Sequence, residues 1–275
     1  MFELDTKLKY VLFGVITFIM VFIGVVGGFS FNKLKNNKDN LPEKLKSERN
    51  LLVILLDDDK VKAEGMYLTN INPKDEILSS VAIPKSIEIN INDEIKPFSR
   101  AYTENKTDDL IIALEKKTGI KIDNYLCVDK RFIEEFYKNI GDVKCSLPMD
   151  VSFLEYSFNA GENVLDATSF ANLFMHIKVN LSGDNAKKAE LELVKGAFEA
   201  ICNNKLSSYE HNKLLNLIKD LKGNIASYDF EDYAKIFSSI KAKMVKVKEI
   251  KGKYEYIEGE MFYLSDKTSE DKFFE

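Results

Sequence analysis

The sequence predicts a layered α/β domain that is preceded by one N-terminal transmembrane helix. Two observations support this fold class. Residues 10–31 contain neither a charge nor a proline, and from residue 51 onward apolar, strand-like runs alternate with segments that carry helix caps. Strands that alternate with helices along a chain are typical of domains in which helices cover a sheet.

The composition is that of a folded protein. Of 275 residues, 45% are hydrophobic and 30% are charged, which separates the chain from disordered sequences. About 230 residues remain beyond the apolar stretch and the lysine-rich segment that follows it, which is enough for one sizeable core. The net charge of −5 gives no sign of the basic surface that nucleic-acid binding requires, so we expect no nucleic-acid partner.

Residues 10–31 are predicted to cross a lipid bilayer once, after a short tail at residues 1–9. As a helix the stretch measures roughly 33 Å at about 1.5 Å per residue, which matches a hydrocarbon core of about 30 Å. A cleaved signal peptide is the alternative, but its apolar region is usually shorter. We therefore expect an anchor, followed by a tether at residues 32–49 that is rich in Lys and Asn.

The charges around the apolar stretch favour a cytoplasmic domain. Lys7 and Lys9 precede the stretch, and more lysines follow it within the tether. The following lysines are Lys33, Lys35, Lys38, Lys44 and Lys46. Because positive residues concentrate on the cytoplasmic side of a membrane helix, this count places the soluble domain in the cytoplasm.

The soluble domain is predicted at residues 50–275 and begins with strands. Residues 51–56 are continuously apolar and end at Asp57, as expected for a strand buried on both faces. A turn around Pro73 separates the next two runs. The further strands predicted in this part are residues 66–71, 77–83 and 86–91.

Helices and strands then alternate. Thr107 and Asp129 are predicted to cap helices that stop at Gly119 and Gly141, with a strand after each. From Asp166 the pattern becomes mostly helical. The remaining predicted strands are residues 122–128, 143–147, 244–250, 254–257 and 261–264, and the remaining predicted helices are residues 167–177, 187–202, 208–221 and 230–240.

Several short motifs occur in an order that is similar to a known family. Residues 50–57 correspond to a strand that in the family typically reads Asn-Ile-Leu-Leu-Leu-Gly-Ser-Asp, of which the aspartate is retained as Asp57. Residues 62–73, 82–86 and 99–102 match three later motifs, none of them intact. On the order of these motifs, the chain resembles the LytR–CpsA–Psr family of cell-envelope glycopolymer transferases.

The resemblance implies a mixed sheet layered between helices (α/β/α) and a single-pass protein of the cell membrane whose soluble domain is extracytoplasmic. The positive-inside count disagrees, and we follow the resemblance. It also implies an activity, in which a glycopolymer phosphate moves from a polyprenyl-pyrophosphate carrier to the cell wall. A polyprenyl-linked phosphate or pyrophosphate is accordingly the expected partner.

The resemblance also assigns site residues. Asp57 and Glu64 match two carboxylates of the family and would hold Mg²⁺, which prefers hard oxygen ligands. Lys62 and Lys85 replace two arginines, and together with the carboxylates they would be catalytic. Lys62, Lys85 and Arg100 would bind the substrate, although lysine lacks the bidentate geometry of arginine. The simpler interpretation is a solvated acidic turn at Asp57 with solvated lysines nearby.

The second half of the site is eroded in comparison with the family. Its Arg-x-Arg pair corresponds to the uncharged Met175 and Ile177, and its later Arg-and-Gln motif retains only Lys187 and Lys188 as cations. The chain has no glycine-rich phosphate loop and no Gly-x-Ser-x-Gly elbow, so no other catalytic motif competes. Three hypotheses remain open: an active transferase, a degenerate transferase with weak or no turnover, and a non-catalytic envelope binding or interaction module.

Overall fold

The computed structural model describes residues 41–102, 107–204, 208–266 and 274. The chain divides into two units, Met1–Pro42 and Glu43–Glu275, and all the elements below belong to the second. The predicted tail, transmembrane helix and first part of the tether, residues 1–40, lie outside the described residues. Within the described part, none of the helices combines the length and the apolar character that crossing a bilayer would need.

The described end of the predicted tether belongs to the folded domain. Glu43–Leu45 forms a 3₁₀ turn in which Leu45 is completely buried, and the first strand already begins at Arg49. The strands are β1 (Arg49–Leu56), β2 (Ala63–Asn72), β3 (Ile77–Ile83), β4 (Glu88–Ile91), β5 (Glu94–Pro97), β6 (Asn124–Val128), β7 (Val143–Leu147), β8 (Val151–Phe153), β9 (Tyr156–Phe158), β10 (Gly161–Leu165), β11 (Val245–Glu249), β12 (Gly252–Ile257) and β13 (Glu260–Ser265).

Helices occupy most of the chain between β10 and β11, and others lie between the earlier strands. The helices are α1 (Phe98–Ala101), α2 (Thr107–Thr118), α3 (Lys130–Ile140), α4 (Ala167–Asn180), α5 (Asp184–Asn203), α6 (Ser208–Lys219) and α7 (Ser227–Ser239), with a further 3₁₀ turn at Ala242–Met244. Two predicted caps are confirmed: the Asp129 side chain accepts a bond from the Phe132 N–H at 2.7 Å, and Gly141 ends α3 with a φ of +108°.

The central sheet is mixed, as the resemblance implies. Its five strands have the order β11-β3-β2-β1-β6. The three middle strands are antiparallel, whereas β6 pairs in parallel with β1 and β11 pairs in parallel with β3. The remaining strands form two-stranded sheets, among them the hairpins β4–β5, β8–β9 and β12–β13.

Helices flank the sheet because both of its faces are apolar. Leu52 and Ile54 of β1 belong to one buried cluster with Leu110 and Leu114 of α2. On the opposite face, the ring of Tyr67 in β2 lies 5.9 Å from the ring of Phe174 in α4. The layered α/β class is therefore confirmed, and the prediction that β1 is buried on both faces agrees with its burial pattern.

The structure adds elements that the sequence did not predict. Residues 86–91 were predicted as one strand, but the strand begins at Glu88 and forms a separate hairpin with β5. The short strands β8, β9 and β10 were not predicted at all. Strands of three to five residues carry too few alternations for a pattern of period two to stand out.

Candidate functional site

A cavity of about 220 Å³ lies between the ends of β2 and β3 on one side and α4 and α5 on the other. It is bordered by six charged side chains, three of each sign. These are Glu64, Lys85, Lys178, Lys187, Glu190 and Glu249. At neutral pH the charged lining therefore carries no formal net charge.

A β-bulge directs Glu64 into this cavity. Leu55 of β1 pairs with Gly65, but Leu56 pairs with Ala63, so Glu64 is an extra residue in β2. Strict alternation would place Glu64 on the same face as Met66, in the apolar core. Because a bulge re-aims the side chain, Glu64 instead forms an ion pair with Lys85, two residues beyond the end of β3.

Lys178, near the end of α4, reaches the same cavity across Gly65. Its Nζ lies 2.5 Å from Oε1 of Glu190 and 5.3 Å from the ring centroid of Tyr67. The Tyr67 hydroxyl donates to the same Glu190 oxygen at 2.8 Å. Burial, and then the Glu190 carboxylate, raise the pKa of Tyr67 well above its ordinary value. Tyr67 therefore remains a hydrogen-bond donor to Glu190 throughout the neutral range.

The first turn of α5 closes the cavity with additional positive charge. Lys187 places Nζ 3.3 Å from a Glu249 oxygen and 5.6 Å from the ring centroid of Tyr254. Burial, followed by Glu249 and Glu190, raises the pKa of Tyr254. Gly183, which precedes this 20-residue helix, lies in the cavity wall, so the positive end of the helix dipole lies beside the cavity.

The structure brings some of the sequence-predicted site residues together and leaves others apart. Glu64 and Lys85 are paired in the cavity wall. Asp57 and Lys62 lie in the loop between β1 and β2 and are not among the residues that line the cavity. Asp57 shapes that loop, because its Oδ1 accepts from the backbone N–H groups of Val61 at 2.8 Å and of Lys62 at 3.0 Å.

Arg100 lines a second cavity of about 400 Å³, where it forms an ion pair with Glu260. Lys85 and Tyr254 border both cavities. The two cavities are therefore neighbours on either side of Lys85. Ser86, Ser99 and Met261 are also among the residues that line the second cavity.

Sequence reasoning missed Lys178 and Glu190. It concentrated on Met175 and Ile177, whereas the cation that enters the cavity follows Ile177 directly. The sequence did contain a signal for Lys178, because Phe174 and Lys178 are four residues apart and therefore share one face of a helix. Phe174 is buried against the sheet, so the lysine one turn later was placed to reach the sheet as well.

Carboxylates suited to Mg²⁺ are present, but not as a complete protein cage. Within residues 41–102, 107–204, 208–266 and 274, no three His, Cys, Asp or Glu side chains converge on a point that could hold a metal ion. Mg²⁺ is commonly held by one or two carboxylates together with substrate phosphates. Asp57 and Glu64 carry oxygen donors of that type, although only Glu64 lines the cavity.

Comparison with protein families gives one extended match. The family described as "LytR_cpsA_psr family" matches residues 31–275. Two curated relatives are polyisoprenyl-teichoic acid–peptidoglycan teichoic acid transferases named TagU. The one from Bacillus licheniformis is 21% identical over 292 residues, covering 97% of this chain and 94% of the relative. The one from Bacillus subtilis is 21% identical over 248 residues, covering 87% and 80% respectively.

Solved structures share the fold. TagV of Bacillus subtilis superposes with a TM-score of 0.68 at 16% identity, covering 82% of this chain and 94% of TagV. A protein of Enterococcus faecalis described as a transcriptional regulator (EF0465) superposes with a TM-score of 0.69 at 16% identity, covering 85% and 87%. At such identities the likeness establishes the fold, and the chemistry has to be argued from the cavity.

Proposed function

The chain belongs to the LytR–CpsA–Psr family, and we propose that it binds the phosphate groups of a polyprenyl-linked glycopolymer at the cell envelope, with weak or no transfer to the cell wall. The relatives named as teichoic acid transferases support a glycopolymer transferase-like role. The observation that carries the proposal is the convergence of Lys85, Lys178 and Lys187 on one cavity at the N-terminus of α5.

The size of the cavity fits a head group. Its volume of about 220 Å³ is below the roughly 300–1,000 Å³ of typical small-molecule sites. We therefore propose that the pyrophosphate enters the cavity while the lipid and the polymer lie outside it. Three lysines and the end of a helix dipole are groups that neutralise concentrated negative charge.

The same groups would support transfer. In phosphoryl transfer, catalysis consists almost entirely of positioning and of stabilising charge on the transferred group and the leaving group. In the proposed site, Lys85, Lys178 and Lys187 hold the phosphates and offset their charge. Asp57 and Glu64 would bind Mg²⁺, which supplies further charge neutralisation when it is present. Lys62 would contribute a further positive charge to phosphate binding from the loop between β1 and β2.

The second cavity offers an approach for the acceptor. An attacking hydroxyl must lie opposite the leaving group. A ligand phosphate beside Lys85 would face both cavities, because Lys85 borders each of them. In this arrangement Arg100 lies on the acceptor side. Ser86 and Ser99 there provide groups that can hydrogen-bond to a sugar.

Two features support weak or absent turnover. The charged residues of the first cavity include lysines and no arginine, so bidentate contacts to phosphate are missing from its lining. Each of the three lysines is also already paired with a carboxylate. These pairs equally suit the second candidate, a non-catalytic envelope binding or interaction module with the same fold.

We further propose that residues 10–31 anchor the chain in the cell membrane with its domain on the extracytoplasmic side. An enzyme whose substrate carries a polyprenyl chain gains from this position, since the anchor keeps the domain next to the bilayer that holds the carrier. The test is accessibility: a cysteine-free background with one engineered surface cysteine should react with a membrane-impermeant reagent in intact cells. Labelling only after lysis would place the domain in the cytoplasm.

The central experiment is calorimetric binding of a short-chain polyprenyl pyrophosphate to the full-length protein in non-ionic detergent, followed by a transfer assay with a lipid-linked glycopolymer. We expect binding that Lys178→Gln abolishes, together with little or no transfer. Efficient transfer would refute the eroded site and leave an active transferase. Absence of binding would leave the non-catalytic module that lacks this ligand.

A further inference from the structure

We infer that Glu190 is a resident counter-ion of the first cavity, which holds Lys178 until a phosphate or pyrophosphate group displaces it. This inference rests on the proposed function of the cavity and adds a residue that limits the affinity of the site. Glu190 thus acts as an internal competitor of the ligand.

The contacts of Glu190 resemble those of a bound anion. One carboxylate oxygen receives a hydrogen bond from the Tyr67 hydroxyl at 2.8 Å and an ion pair from Lys178 at 2.5 Å. Lys178 itself is confined, because its aliphatic end crosses Gly65 and its ammonium group lies over the Tyr67 ring. Strong donors directed at one oxygen are what a phosphate oxygen would also require.

The Glu190 pair differs from the other two pairs of the cavity in burial. The side chains of Lys178 and Glu190 are only 10% and 14% exposed. By contrast, Lys85 is 44% exposed and Lys187 is 38% exposed, so both can turn from their carboxylates towards a ligand while remaining in water. Separating Lys178 from Glu190 costs more free energy, because each charge of a buried pair is left uncompensated unless a ligand phosphate takes the place of the carboxylate.

Displacement is nevertheless possible because Glu190 has a second partner. When Lys178 turns to a ligand phosphate, the Tyr67 hydroxyl continues to donate to Glu190. The carboxylate then lies beside an anion and repels it. Charge repulsion at short range in a poorly solvated site is strong, so Glu190 weakens every anionic ligand that uses Lys178.

The test is the affinity for inorganic pyrophosphate, measured by calorimetry on the full-length protein in non-ionic detergent. Glu190→Gln keeps the shape of the side chain and removes its charge, so we expect affinity to rise by about tenfold or more. Glu190→Asp keeps the charge and should bind no tighter than the unaltered protein. Glu192→Gln is the matched control, since it makes the same change two residues further along α5, outside the cavity lining, and should leave affinity unchanged.

The outcomes separate this inference from the proposed function. If the unaltered protein binds pyrophosphate and Glu190→Gln binds equally or more weakly, the competitor role is refuted while the anion site stands. If neither protein binds, both the competitor role and the proposed function fail. Thermal unfolding monitors the fold of each variant, and if Glu190→Gln does not fold, Glu190→Ala decides by the same criterion. A residue with only a structural role would not produce tighter binding when it is replaced.

Discussion

Lys178 crosses Gly65 so closely that a Cβ at position 65 would collide with Cε of the lysine and lie 2.9 Å from its Nζ. Gly65 pairs with Leu55 immediately beside the bulge at Glu64. The absence of a side chain in β2 therefore provides the passage through which a helix residue reaches the cavity. Glycine usually weakens a strand, and close approach by another group is a recognised reason for its presence.

Gly65→Ala is expected to impair ligand binding more than stability. The colliding atoms belong to the flexible end of a lysine, which can shift, so the free energy of unfolding should fall by no more than about 1 kcal/mol. The shift draws the ammonium group away from Glu190 and from the cavity, so pyrophosphate affinity should fall several-fold. Calorimetry and urea unfolding of the same variant check both parts. Unchanged affinity would show that Lys178 does not need its present path.

Lys187→Gln and Lys188→Gln form a matched pair of neighbours on α5. Lys187 lines the cavity and contacts Glu249, whereas Lys188 is exposed and is not part of the lining. We expect Lys187→Gln to weaken pyrophosphate binding by about tenfold and to reduce its dependence on salt, because one charge contact is lost. Lys188→Gln should change neither quantity. Equal effects of the two variants would reduce the role of Lys187 to general electrostatic attraction.

Asp57→Asn tests the proposed metal contribution. The asparagine oxygen can still accept from Val61 and Lys62, so the loop should be preserved while the charge is removed. We expect pyrophosphate binding by the unaltered protein to strengthen when Mg²⁺ is added, and this gain to shrink at least several-fold in the variant. Asp58→Asn, at an exposed neighbouring position, serves as the control. A full Mg²⁺ effect in Asp57→Asn would exclude Asp57 as a ligand.

Asp129 is expected to make stability depend on pH. Burial opposes its ionisation, but the Lys60 ammonium at 2.8 Å and the Phe132 N–H together lower the pKa of Asp129 below its ordinary value. A lowered folded-state pKa stabilises the fold above the unfolded pKa of about 3.9, and this contribution disappears as pH falls through the folded value.

The corresponding variant is Asp129→Ala, which removes both the helix cap and the ion pair. At neutral pH it should lower the free energy of unfolding by about 0.5–2 kcal/mol, the usual cost of losing a cap. The difference from the unaltered protein should narrow below about pH 4, as Asp129 becomes protonated. Urea unfolding across this range measures it. A difference that stays constant with pH would mean that the charge of Asp129 contributes nothing.

Local sequence signals predicted the longer strands and helices, although not the short strands β5, β8, β9 and β10. The predicted cap at Asp129 and the predicted helix end at Gly141 are both present, because capping depends on residues within a single turn. The continuous apolar run at residues 51–56 likewise predicted that β1 is buried on both faces. Such features need no knowledge of distant partners.

The direction of site residues could not be predicted in the same way. Whether Glu64 points to the core or to the cavity depends on a bulge, which is defined only by the register between β1 and β2. Lys178 reaches the cavity because α4 lies against β2 at Gly65, and Glu190 meets it from α5. These relationships arise from packing between elements that are distant in sequence, and no single segment encodes them.

The position of β11 at the edge of the sheet has a consequence for biosynthesis. This strand pairs with β3, which is made much earlier, and it carries Glu249 into the cavity wall next to Tyr254. Pairing of such distant segments is slow and has to wait until β11 has been synthesised. The cavity wall is therefore complete only after β11 and Tyr254 have been synthesised, so a product that terminated before β11 would lack this wall even where β1, β2 and β3 had already paired.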